Sequence, residues 1–169
     1  MSSSSSATKK EEFKQLPKAF KQLQFHVSDK ILRTATALRE LPSVLIPTND
    51  RRVPFPPLVH YGYPLQIERM HELLTQKLGA KPGILDANPF GVLVHLQREV
   101  FYYGIQFQAV YLDGTDSMFF IAVSSNWDPA PADRLEEVGK RLKDFFELDE
   151  EPVWCLDARK SFWRKWLMP

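Results

Sequence analysis

The stretch 92–124, VLVHLQREVFYYGIQFQAVYLDGTDSMFFIAVS, decides how this chain is read. Val92, Val94 and Leu96 alternate with Leu93, His95 and Gln97, and Tyr103, Ile105, Phe107, Ala109 and Tyr111 alternate with Gly104, Gln106, Gln108 and Val110. Strand side chains point to opposite faces at period two, so the alternation predicts strands over 92–97 and 101–112. Arg98-Glu99 between them carries no Gly or Pro, and one long bent strand is the alternative there. Asp113-Gly114 is a strong turn signal, since Gly accepts positive φ at low cost. A further strand follows over 117–124, with Phe119, Ile121 and Val123 on one side and Phe120 and Ala122 on the other. β-Branched and aromatic residues dominate all three runs, as strands prefer.

Working outward, Ile67, Met70, His71, Leu74 and Leu78 share one face of a predicted helix over 65–78, which Gly79 ends. Pro131 opens another over 132–147, with Leu135, Val138, Leu142, Phe145 and Phe146 as its buried stripe. Val153-Trp154-Cys155-Leu156 reads as a short strand over 153–156, and Asp157 as the cap of a last helical turn or two. Toward the N-terminus, residues 1–8 read as a disordered polar tail. Phe13, Leu16, Phe20, Leu23 and Val27 then recur every three or four residues. Pro17 places the start of that helix near Leu16, giving 16–27. A second helix over 29–41 follows, with Ile31, Leu32, Ala35 and Leu38 inward and Pro42 as its stop. Residues 42–64 hold six prolines beside Val44, Leu45, Ile46, Val53, Phe55, Leu58 and Val59. Such a segment lies extended on the domain, with room for a short strand at 43–46.

These elements assemble into an α+β domain spanning 9–169: a two-layer fold with an antiparallel sheet of three to four strands. Helices 65–78 and 132–147 should cover the face bearing Ile105, Phe107, Ile121 and Val123.

At 169 residues with 44% hydrophobic and 25% charged side chains, the composition is that of one ordinary globular domain. A formal charge of +1 gives no global field toward nucleic acid or membrane, and nucleic-acid binding is not expected. No apolar run has the length of a membrane span. Cys155 has no partner for an internal disulfide, which fits a reducing compartment, the cytoplasm or nucleus.

Few motifs carry chemistry. His71-Glu72 begins like a zinc-protease signature, but Thr75 stands where a second His is needed. His26, His60, His71 and His95 show no ligand spacing, so no metal or other cofactor is expected. Asp113-Gly114-Thr115 echoes a phosphatase loop, but Tyr111 stands in place of the nucleophile. Cys155, between Trp154 and Leu156, reads as an inert buried thiol. Two surfaces remain. Phe55 in the Pro-rich segment, and Phe162, Trp163, Arg164 and Trp166 in the C-terminal tail, have the character of protein interfaces. The tail reads more readily still as docking on its own domain, through Phe162 and Trp166. The second face of the sheet would offer His95, Gln97, Gln106, Gln108 and Phe120 to a small ligand, with Asp113 or Asp116 as an acid. The leading expectation is a non-enzymatic intracellular domain that binds a protein partner. The alternative is a small-ligand carrier or small enzyme built on the amide-bearing face. Oligomeric state is left open.

Overall fold

The computed structural model describes residues 3–23, 28–50, 52–79, 81, 83, 88–115 and 117–164, with backbone alone at 3–7 and 78. The expected positions Val27, Asp116 and Trp166 lie outside these residues.

In chain order the elements are α1 (Ser3–Gln15), a 3-10 turn (Lys18–Lys21), the short α2 (Asp29–Leu32) and a second 3-10 turn (Ser43–Leu45). Then come β1 (Val59–Leu65), α3 (Ile67–Leu78), α4 (Pro89–Glu99), β2 (Gln106–Tyr111), β3 (Met118–Ser125), α5 (Ala132–Phe146) and β4 (Val153–Asp157). The fold is α+β with four antiparallel strands, and it corrects the open two-layer expectation: the sheet closes into a small barrel in the order β1-β3-β2-β4. Closure comes from β4, which pairs with β1 (His60 opposite Cys155) and with β2 (Val110 opposite Asp157). An additional bond runs from Ala158 N–H to the Ala109 carbonyl at 2.9 Å.

Closing four strands needs a sharp bend, and β1 supplies it. Its register against β3 slips between Tyr61 and Gly62, a bulge of the kind that increases local twist. A Cβ at Gly62 would sit 1.9 Å from the Ile121 carbonyl oxygen, so the two backbones meet only because the residue is glycine. The β2–β3 turn is the expected one. Asp113 and Gly114 have φ of 48° and 86°, and Thr115 N–H reaches the Leu112 carbonyl at 3.0 Å, as a tight hairpin turn requires.

Several expected elements are different. The strand over 92–97 is helix α4, because the alternation hides a second spacing: Val92, Leu96 and Val100, four apart, are the buried ones. Asn88 caps it, accepting from Gly91 N–H at 2.9 Å, and Pro89 occupies its first turn. The helix ends on Phe101, at φ 54°, with Tyr102 N–H bonded to the Gln97 carbonyl and Phe101 N–H to that of Arg98. That exit delays β2, so strand structure expected from 101 begins at Gln106. The helix over 65–78 begins at Ile67, since Leu65 ends β1. Of the helix expected over 16–27, the described part, 16–23, holds only the 3-10 turn, with Pro17 between it and α1, and 24–27 lie outside the described residues; α1 starts at Ser3, inside the stretch expected to be a tail. The helix over 29–41 stops at Leu32, and the strand considered at 43–46 is a 3-10 turn. Strand β1 was not expected as such.

Alternation on the strands sorts the core. Ile121, Val123 and Tyr63 face outward with Ile105 into one cluster with Met70, Leu74, Val92, Leu96, Val138 and Leu142 from the three long helices. Val59, Trp154 and Leu156 face a second cluster built from Leu16, Phe20, Leu32, Ala35, Leu45 and Trp163. Val110, Leu112, Phe120, Ala122 and Cys155 form a third, small cluster that fills the barrel interior. Asn126, fully buried, ties the N-terminal wrap to the barrel. Its Oδ1 accepts from Val59 N–H at 2.9 Å, and its Nδ2 donates to the carbonyls of Leu45 and Pro57 at 2.7 and 2.9 Å.

Candidate functional site

Register decides which side chains share the barrel's inner face. Gln106 stands opposite Ala122 and Gln108 opposite Phe120, while His60 stands opposite Cys155. The apolar cluster fills one part of the interior. The polar remainder opens into a cavity of about 490 Å³, within the range of small-molecule sites. Gln106, Gln108, His60 and Asp157 line it, with Ser124 and Ser125 past the bulge, Tyr102 and Trp127 as aromatic walls, and Arg159 and Lys160 at the rim.

Its floor is a buried ion-pair geometry. His60 and Asp157 are only 3% and 2% exposed, and His60 Nε2 lies 2.8 Å from Asp157 Oδ2. The other carboxylate oxygen accepts the backbone N–H groups of Arg159 and Lys160 at 2.7 and 2.6 Å. Burial pushes this carboxyl up, but the bonds from His60 and the two backbone amides outweigh it and hold Asp157 below the usual carboxylate range. Among the described residues nothing hydrogen-bonds to His60 Nδ1. Gln108 Nε2 donates to Gln106 Oε1 at 2.8 Å, linking the two amides on the wall above.

Of the expected ligand set, Gln106 and Gln108 line this cavity. Phe120 belongs to the apolar cluster of the interior and is fully buried. His95 and Gln97 are elsewhere, carried off by α4. His95 is exposed and 3.6 Å from Glu99, and Gln97 Nε2 donates to the carbonyls of Tyr103 and Ile105, bracing the loop into β2. Asp113 is exposed in the hairpin turn. The imidazole and the acid that this face lacked are supplied by His60 and Asp157, from strands β1 and β4. The signal for His60 was present in Val59-His60-Tyr61-Gly62-Tyr63, a period-two run masked by its prolines.

Of the described residues expected to meet a partner, Phe55, Phe162 and Arg164 lie together and Trp163 packs on the N-terminal segment. Phe55 and Arg164 form an antiparallel bridge, and Leu58 N–H bonds to the Lys160 carbonyl. Trp163 is buried, its indole N–H on the Phe20 carbonyl at 2.6 Å and its ring edge-on to Phe13. Phe55 stacks edge-on against Trp127 at 4.9 Å, and the Arg164 guanidinium lies 5.0 Å from the Phe162 ring. Beside this junction runs an apolar groove of about 620 Å³, where Leu23, Ile46 and Val53 are 59%, 44% and 42% exposed. Lys9 and Lys10 stand at its edge.

Cys155 is fully buried, and burial, with the charge of Asp113, pushes its thiol up to about 12. That environment suits packing and not nucleophilic chemistry. Among the described residues no three His, Cys, Asp or Glu side chains cluster to hold a metal, and no helix is long and apolar enough to cross a membrane. Comparison with protein-family models, with curated proteins and with solved structures returns no match.

Proposed function

We propose that this protein binds a small polar molecule in the mouth of its barrel, as a carrier or as a small enzyme. The observation that carries the reading is the cavity itself, where a carboxylate-braced imidazole and two coupled amides converge within about 490 Å³. His60 and Asp157 are buried, where an unsatisfied polar group is costly, and a ligand would satisfy the groups still open there and on the amides at the mouth. The braced ring also suits proton transfer, since a carboxylate on one nitrogen fixes the tautomer and leaves the other free to act. The unpaired Cys155 fits a cytoplasmic or nuclear setting. The test is a thermal-shift screen of the full chain against a metabolite library, repeated with Gln106→Leu. Gln106 is exposed, so the change leaves the fold intact. Hits that raise Tm in the parent and not in the variant support the reading. No hits, or hits indifferent to Gln106, count against it.

A second reading is favoured by the apolar groove. Three exposed aliphatic side chains, with Lys9 and Lys10 outnumbering Asp50 on the lining, suit an amphipathic acidic peptide from a protein partner. Anisotropy with labelled acidic amphipathic peptides tests it: binding should weaken with salt and be lost in Val53→Glu. Binding indifferent to both would remove it.

A further inference from the structure

We infer that the ligand of the barrel cavity is a neutral polyhydroxylated compound, of the sugar or polyol class, with one hydroxyl hydrogen-bonded to His60 Nδ1. This rests on the cavity being a ligand site and goes on to name the class. Asp157 carries no proton to give, so the proton shared at 2.8 Å belongs to His60 Nε2. Nδ1 of that ring is then left without a partner among the described residues. The amide pair gives a second such pattern. Whichever amide donates in the Gln108–Gln106 bond, one carboxamide NH₂ and one carboxamide oxygen stay unused. The wall therefore offers an acceptor beside a donor.

That pattern discriminates between ligand chemistries. A carboxylate brings only lone pairs, and would leave the free amide oxygen unanswered. A hydroxyl both donates and accepts, and a run of hydroxyls can answer donors and acceptors side by side. Charge gives no reason to prefer an anion. Arg159 and Lys160 on the lining are matched by Asp128 and Asp157, a formal balance of zero. Tyr102 adds an aromatic wall, one face of which the Arg134 guanidinium covers at 5.3 Å from the ring centre.

The experiment is calorimetric titration of the full chain with glucose, trehalose, sorbitol and myo-inositol, and separately with inorganic phosphate and citrate. Gln106→Leu and Gln108→Leu are titrated alongside, with Tm confirming that both fold. Saturable binding of a polyhydroxyl probe, weakened about tenfold or more in each variant, is the expected result; tenfold corresponds to the loss of one well-made hydrogen bond. Binding of phosphate or citrate instead, lost in the same variants, overturns the polyol class and leaves the cavity as a ligand site. If these probes fail and the metabolite screen also finds nothing, the cavity reading falls and the class falls with it.

Discussion

Replacing Asp157 by Asn tests the floor of the cavity most sharply. The carboxylate accepts three hydrogen bonds, from His60 Nε2 and from the backbone N–H groups of Arg159 and Lys160. Bonds to a charged acceptor are about twice as strong as neutral ones, so making the acceptor neutral forfeits about 1 kcal/mol in each of the three. Removing a buried charge returns part of this, because its desolvation is no longer needed. The net loss is about 2 kcal/mol. For a chain of 169 residues, each kcal/mol moves Tm by about 2–4 °C, so Tm at pH 7 should fall by about 4–8 °C. The pH dependence has a definite sign. Asp157 is held below its ordinary value of 3.8, so its stabilisation is fully present above pH 4 and is lost as pH falls through the lower, folded value. The gap between parent and variant should close as pH falls below about pH 4. Differential scanning calorimetry across pH reads the stability. A Tm unchanged or raised at pH 7, or a gap that does not close in acid, would refute the reasoning.

Three further outcomes follow from the packing. Asn126→Ala should cost about 3–4 kcal/mol by urea denaturation, since it orphans the Val59 N–H and the carbonyls of Leu45 and Pro57 in a buried place; a loss under about 1 kcal/mol contradicts this. Gly62→Ala should destabilise by about 3 kcal/mol or prevent folding, because the new methyl meets the Ile121 backbone and neither strand can give way; a native Tm contradicts it. Cys155 should react with a thiol reagent only as fast as the protein opens, and at full speed in denaturant; rapid labelling of the native chain contradicts its burial.

The sequence was legible wherever one period dominated. On α5, Val138, Leu142 and Phe146 recur at four and have no competing alternation, and β3 is a short aromatic and β-branched run set off by the Asp113-Gly114 turn. Val92–Leu96 satisfies both periods. What decides it is the Asn88-Pro89 cap, which also resembles a turn. Phe101 then ends α4 in a conformation that usually calls for glycine, so no residue type marked the boundary. Strand β1 was hidden by Pro64 and Gly62, both normally strand breakers. Here Gly62 permits the close approach at the bulge, and Pro64 lies near the strand's end opposite Phe120. Missing β1 meant missing closure, and closure is what brings His60 and Asp157, 97 positions apart, beside the glutamines. The amide-bearing face could be read from β2 alone. Its acid and its imidazole come from partner strands that a single sequence does not order.

The account stands on the β2–β4 seam. An NMR spectrum of the labelled chain should show cross-strand contacts between Val110 and Asp157 and between Tyr111 and Leu156, with the Ala158 amide protected from exchange by its bond to the Ala109 carbonyl. If the β1–β3 and β2–β3 contacts are present while those of the seam are absent and Ala158 exchanges freely, the sheet is open and the cavity described here does not exist.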